Sequence, residues 1–381
     1  MIIGIDGNEA NVKKRVGISE YAYQLLLQFV SDTSARERNI KFVIYLKDKP
    51  LDSLPKANKF WEYRILKPGK FWTQWRLPLD LFLHKPSPDV FFSMTHYAPR
   101  FSPIPTVISV MDVSYLHFPE MFRSSDLYQL KNWTAYSIKN AKKVLTISNS
   151  SRDDIIKSYN TAEKKVVTIY PGIKNVVSLE PKVYGMNQLE SKYHVSKNFI
   201  LFVGTLQPRK NIVRLIEAFS KLSSKDKNGE ISDLQLVIIG RRGWQYEDIL
   251  DAPKKFGVKD DVKILENIQD DELNIFYQHA LCYVLPSLYE GFGLPVLEAM
   301  RRGCPVITSN VSSLPEAGGD AAIYVNPEDV DDIAEKIFKV INDKELREEM
   351  IKKGKEQVSK FSWEKSARET LEILQHIAKK E

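Results

Sequence analysis

Short β-branched runs alternate with amphipathic stretches along the whole chain, and this alternation restricts the fold more than any other feature. The runs Ile2–Asp6, Lys41–Leu46, Val90–Phe92, Thr106–Met111, Lys143–Ile147 and Val166–Ile169 occupy the first half; Phe199–Gly204, Leu234–Ile239, Val262–Leu265, Leu281–Leu285, Pro305–Thr308 and Ala322–Val325 occupy the second. Runs that are apolar on both faces suit a parallel sheet covered by helices on either side. Because the pattern occurs twice, it predicts an α/β chain of two doubly wound, Rossmann-like domains. A length of 381 residues also favours two cores over one.

The break between the halves is polar and aperiodic. It predicts an N-terminal domain over residues 1–172, a linker over 173–197 and a C-terminal domain over 198–360. A closing segment, 361–381, carries a last helix from Trp363 to Lys379 with Ser362 as N-cap. No apolar run is long enough to span a bilayer, and MIIGIDGNEA reads as a buried strand, not as a signal peptide. Cys282 and Cys304 stand in apolar surroundings and read as core residues of a reducing compartment. A cytoplasmic protein is expected. Residues 1–185 carry 27 Lys and Arg against 17 Asp and Glu, whereas the remainder carries 28 against 32. The basic half suits either an anionic partner such as a membrane surface or an ordinary solvated surface. No nucleic-acid recognition motif accompanies it.

The segment from Pro286 to Thr308, PSLYEGFGLPVLEAMRRGCPVIT, reads as strand, glycine loop, helix and strand. Pro295 fits the first helical turn, Gly303 the left-handed residue past its end, and Arg301 and Arg302 the dipole at its last turn. The loop Glu290-Gly-Phe-Gly therefore lies at a strand's carboxyl end and feeds a helix N-terminus, where open α/β sheets bind ligands and helix amides favour phosphate. Gly291 and Gly293 allow close backbone approach. Glu290 and Glu298 could accept hydrogen bonds from two sets of hydroxyls, such as those of a sugar joined to a ribose. A second strand ends at Gly204, and the following loop sets Arg209 and Lys210 beside the start of a helix, where a diphosphate would make cations favourable. Near the N-terminus Gly17 lies at another helix start, in a segment without a dinucleotide fingerprint. Asp329-Val-Asp331 reads as a helix start, and no His/Cys cluster has zinc spacing; neither a metal nor a cofactor is expected. The aromatic and basic stretch from Phe60 to Phe82 fits a helix packed on its own sheet, or a surface laid on a membrane.

These motifs resemble the retaining glycosyltransferases of the GT-B fold, family 4 (glycosyl transferases group 1), over nearly the whole chain. The two glutamates in PSLYEGFGLPVLEAMRRGCPVITS carry most of the likeness, supported by VGTLQPRKN and SLPEAGGDAA. In the first half GISEY, WTQWRLP and TISNSS resemble a branch with O-antigen-type mannosyltransferases. The resemblance implies two Rossmann-like domains facing a cleft that holds the donor, with the last helix returning to the N-terminal domain. It implies that Arg209 and Lys210 bind the donor diphosphate, Glu298 the ribose and Glu290 the transferred sugar. Gly291, Phe292, Gly293 and Leu294 would offer backbone amides, Gly204 would line the donor site, and Gly17 would approach the phosphate. Relatives have His-Asp where this chain has Met111-Asp112, which leaves Asp112 as the acceptor-side candidate; His96 and His117 are the other histidines considered there. The implied activity is hexosyl transfer, mannosyl first, from GDP-mannose or a UDP-hexose to a glycan or lipid-linked acceptor, in the cytoplasm or peripherally at the inner face of the membrane. The alternatives are a non-catalytic sugar-nucleotide-binding module and a sugar-nucleotide epimerase on the same plan.

Overall fold

All thirteen strands among the described residues pair in parallel, as buried β-branched runs joined by helices require. The computed structural model describes residues 1–173, 185–225 and 233–379. The chain divides into one unit of Met1–Gly172 with Phe361–Glu381, and another of Ile173–Lys360.

In the first unit, β1 (Ile2–Asp6), β2 (Lys41–Leu46), β3 (Trp61–Ile65), β4 (Val90–Ser93), β5 (Thr106–Ser109), β6 (Lys143–Thr146) and β7 (Val166–Thr168) lie in the order β3-β2-β1-β4-β5-β6-β7. Alternate residues face opposite sides of this sheet. Ile44 and Phe92 meet Leu25 and Leu26 of the helix Ile18–Ser31 and Leu374 of the helix Trp363–Ala378. Val43, Tyr45 and Phe91 meet Trp72, Leu77 and Leu81 on the other side. The last helix is capped by Ser362, whose hydroxyl accepts from Lys365 N, and Trp363 packs edge-on against Tyr21 at 5.9 Å. A side chain at residue 172 would place its Cβ 2.1 Å from the Trp363 nitrogen, so the approach of this helix to the end of the sheet requires Gly172.

In the second unit, β8 (Phe199–Val203), β9 (Gln235–Ile239), β10 (Val262–Leu265), β11 (Cys282–Leu285), β12 (Val306–Ser309) and β13 (Ala322–Val325) lie in the order β10-β9-β8-β11-β12-β13. Cys282 and Cys304 are buried free thiols, pushed well above the usual range by burial.

Two regions differ from the sequence reading. The stretch Phe60–Phe82 is not one helix. Its first part is the edge strand β3, registered against β2 from Trp61 opposite Phe42 to Ile65 opposite Leu46. WEYRI escapes a search for doubly apolar runs because an edge strand alternates polar with apolar positions. The rest is a π-helical turn, Trp72–Arg76, running into the helix Leu77–Leu83. Within the expected linker, residues 174–184 lie outside the described residues, while Met186–Tyr193 forms a helix of the second unit. The Lys192 ammonium and the Tyr193 hydroxyl both donate to the Glu272 carboxylate.

Candidate active site

The strand order of the second sheet reverses between β8 and β11, and it is outside the carboxyl ends of strands at such a reversal that open α/β sheets bind ligands. β8 runs through Gly204 to the 3-10 turn Pro208–Lys210, Asn211 and the helix Ile212–Lys225. β11 runs through Pro286–Gly293 into the helix Leu294–Arg301. Backbone bonds join the two exits: Leu288 N donates to Arg209 O at 2.9 Å. Asn211, left-handed at φ 59, donates its side-chain amide to Pro286 O at 2.9 Å and to Pro327 O at 2.6 Å, tying in a third loop.

This scaffold brings Arg209, Lys210 and Glu290 together. The Lys210 ammonium donates to Glu290 Oε1 at 2.5 Å, and the Arg209 guanidinium lies 3.3 Å from Oε2. Arg209 also donates to Tyr289 O, and the Ser287 hydroxyl donates to Glu290 Oε1 at 2.7 Å. Ser312 and Ser313 hold the Glu290 backbone, the first accepting from its N–H and the second donating to its C=O. Burial alone would push the Glu290 carboxyl up; Lys210 and Arg209 outweigh it and carry the group down to about 2. Two cations and one carboxylate leave a net positive charge in a mostly buried place, a setting that favours an anion.

Gly293 precedes the helix Leu294–Arg301 at φ 103, and a Cβ there would lie 2.8 Å from Leu314 Cδ2, so both backbone conformation and space demand glycine. Gly291 and Phe292 are buried in the same loop, and a Cβ on Gly204 would come within 3.9 Å of the Lys210 side chain. Glu298 is half-buried one turn into the helix, and its carbonyl accepts from Arg302. Ser287, Asn211, Ser312 and Ser313 had no role in the sequence reading. Their signal was weak: a serine three residues before a glutamate, an asparagine where a left-handed residue is needed, and a serine pair before a short helix. Asp329 caps the helix Val330–Asn342 by accepting from Asp331 N and Asp332 N, and the Asp331 carboxylate accepts from Lys221 at 2.6 Å. Asp329 thus serves as a helix cap, and Asp331 pairs with a lysine of the helix Ile212–Lys225.

The first unit also reverses strand order, between β1 and β4. Gly17 precedes the helix Ile18–Ser31 at φ 55 with open space beside it. Asp112 follows β5, and its carboxylate accepts from Ser114 N. Met111 packs into the core. His117 faces Asp154 at 3.3 Å. His96 lies against Tyr97 and Tyr115; burial depresses its pKa, and the Asp112 charge opposes this only in part. Asp6 ends β1. Burial raises its carboxyl to about 6, although Asn8 donates both its N–H and its side-chain amide to Oδ1. The ordinary value is 3.8, so the native state holds this proton more tightly than the unfolded chain. The ionised group therefore costs stability progressively as pH rises from about 4 through 6. Asp6→Asn is expected to stabilise the protein on the order of 3 kcal/mol at pH 7.5, with the gain fading by pH 4. Denaturant titrations at both pH values check this, and an equal difference at both would refute it.

The family model described as Glycosyl transferases group 1 matches residues 186–357, and that described as Glycosyltransferase Family 4 matches residues 34–175. Over 310 residues, 81% of this chain and 78% of the relative, the sequence is 31% identical to O-antigen chain mannosyltransferase B of Escherichia coli. The chain belongs to the family 4, group 1 glycosyltransferases. This family 4 enzyme is also 31% identical over 236 residues to the serotype-specific mannosyltransferase WbdA of E. coli, covering 61% of this chain and 28% of that protein's length. Its fold matches sucrose-phosphate synthase from Thermosynechococcus elongatus at a TM-score of 0.73 and 17% identity over the full length of both chains. It matches Anabaena Alr3699/HepE, solved in complex with UDP-glucose, at 0.71 and 17% identity, covering 98% of this chain and 99% of the other. Two parallel-sheet α/β units of the GT-B fold, in the mannosyltransferase-like branch, are thereby identified. Among the described residues no helix is long and apolar enough to cross a membrane.

Proposed function

We propose that this glycosyltransferase moves a hexose, mannose first, from a nucleoside-diphosphate donor, GDP-mannose first and a UDP-hexose next, to a glycan or lipid-linked acceptor with retention of configuration. The observation that carries the reading is the Arg209–Lys210–Glu290 cluster at the β8/β11 exits. The mannosyltransferase relatives support the sugar, and the UDP-glucose complex of HepE supports a nucleotide-linked donor. In this reading Arg209 and Lys210 receive the donor diphosphate and stabilise the charge that grows on it as the glycosidic bond breaks. Glu290 orients the sugar hydroxyls and Glu298 the ribose. Gly204 and the amides of Gly291, Phe292, Gly293 and Leu294 line the donor, Gly17 approaches a phosphate, and Asp112 serves the acceptor. The departing diphosphate takes the acceptor's proton as the acceptor attacks from the same face, so no protein nucleophile is required. The enzyme's contribution is orientation and charge stabilisation.

The test begins with thermal shifts. GDP is expected to raise the melting temperature by several degrees at about 100 Kd, more than UDP or ADP at equal concentration. Transfer from GDP-mannose is then expected to yield the retained anomer and to continue in EDTA, since Asp329 caps a helix and Asp331 pairs with Lys221. Loss of transfer in EDTA with recovery in Mg²⁺ or Mn²⁺ would overturn metal independence. A preference for UDP would reassign the donor, and nucleotide binding without any turnover would favour a non-catalytic module.

A further inference from the structure

Seven of the eleven large hydrophobic side chains that are exposed among the described residues fall between Ile65 and Phe101. Five of them, Phe71, Trp75, Leu79, Phe82 and Leu83, lie on or at the start of the π-helical turn and the helix Leu77–Leu83. The inner face of this segment is already satisfied, because Trp72, Leu77 and Leu81 pack beneath it against Tyr45 and Phe91. At helical spacing, Leu79, Phe82 and Leu83 point away from that face. A helix with apolar side chains on its outer face as well as its inner one suits an apolar medium on both sides, and here the inner side is protein.

The outward aromatics are held in place. Phe71 and Phe101 have φ of 54 and 52, a conformation that bulky side chains rarely adopt, yet they are 59% and 74% exposed. With Gln74, Trp75, Arg100 and Trp133 they line one recess of about 260 Å³. Arg100 N donates to Thr73 O, which ties its loop to the π-helical turn, and Phe101 N donates to the hydroxyl of Tyr136 on the helix Ser124–Asn140. Lys70 and Lys85 are exposed on either end of the segment and Arg100 borders the recess, whereas the Asp80 carboxylate is turned inward to Arg64 and Arg76.

We propose that Phe71–Lys85, together with Arg100 and Phe101, seats this protein peripherally on an anionic lipid bilayer. Exposed Trp, Phe and Leu flanked by Lys and Arg match the interfacial zone, where rings and aliphatic chains enter the acyl boundary and cations meet lipid phosphates. A second copy on the same face would bring Lys70, Lys85 and Arg100 against their own kind, so anionic lipid is the complementary occupant. The proposal stands independently of which sugar is transferred.

The test uses the full chain with vesicles of phosphatidylcholine alone and of phosphatidylcholine with about 30% phosphatidylglycerol. Sedimentation is expected to carry the protein down with the anionic vesicles far more than with the neutral ones, less so at high salt. The triple variant Trp75→Ser, Phe82→Ser, Leu83→Ser is expected to lose at least about tenfold in partitioning. Lys70→Gln with Lys85→Gln is expected to lose the preference for anionic lipid. Brominated lipid is expected to quench wild-type tryptophan emission, and Trp75→Phe, which keeps the apolar ring, to bind with that quenching diminished; this holds even if the triple variant fails to fold. Absence of binding to anionic vesicles, undiminished partitioning of a folded triple variant, or undiminished quenching in Trp75→Phe would each overturn the proposal. A dimer in solution that the triple variant dissociates, without vesicle binding, would assign the surface to a second copy instead.

Discussion

Glu290→Gln is expected to lower the melting temperature of the ligand-free enzyme and to slow transfer by about 100-fold or more, while affinity for free nucleoside diphosphate holds or rises. Glu290 bonds the buried Lys210 ammonium at 2.5 Å and the partly exposed Arg209 guanidinium at 3.3 Å. Removing the charge leaves Lys210 and Arg209 facing each other, and breaking such a buried set costs about 3–5 kcal/mol. Glutamine keeps the size and one acceptor, so packing changes little and the lower end applies. The freed cations should take a diphosphate at least as well as before, but the group assigned to the sugar is no longer charged where the bond breaks. The stability difference should also depend on pH. The Glu290 carboxyl sits at about 2 against an ordinary 4.5, so its contribution is complete above about pH 4.5 and is lost as pH falls toward 2. Glu298→Gln is expected to behave oppositely, losing about tenfold in nucleotide affinity with little change in stability. Calorimetric titration with GDP paired with steady-state transfer separates the two. If Glu290→Gln lost nucleotide affinity as Glu298→Gln does, this division of roles would be wrong.

Arg209→Ala with Lys210→Ala should weaken nucleoside-diphosphate binding by a few kcal/mol, since charged hydrogen bonds contribute about 1.5–3 kcal/mol each. The structure adds a second consequence. Glu290 would then be a buried carboxylate without its cations, destabilising the fold and repelling the phosphates. Adding Glu290→Gln to the double variant is therefore expected to restore much of the lost melting temperature but none of the lost affinity. That pattern separates binding from scaffolding. Restored affinity in the triple variant would show that the cations serve only to hold Glu290, and the diphosphate assignment would fall.

The helix boundaries around the site were legible because local chemistry determines them. Pro295 stands in the first turn of Leu294–Arg301, Gly303 is left-handed at φ 75 just past its end, and Ser362 and Asp329 cap the helices that follow them. β3 is missed by a search for doubly apolar runs, since WEYRI alternates apolar with polar residues and its partner β2 is fixed only by pairing. Nor was the helix Met186–Tyr193 visible in a stretch that reads as polar linker. Its hold on Glu272 of another helix is a long-range contact with no local signature.

By itself, then, the sequence determined two parallel-sheet units, which loops end at strand carboxyl termini, and which side chains those loops carry, because β-branched runs, glycines and capping residues act over a few positions. Tertiary structure alone decided that Glu290 bonds to residues 80 and 81 positions away, that Ser312 and Ser313 hold its backbone, and that Trp75, Phe82 and Leu83 face outward while Trp72 and Leu81 face in. The reason is physical. Strand order places β8 beside β11 although 78 residues separate Val203 from Cys282, and only that adjacency turns two basic residues and a distant carboxylate into one net-positive cluster.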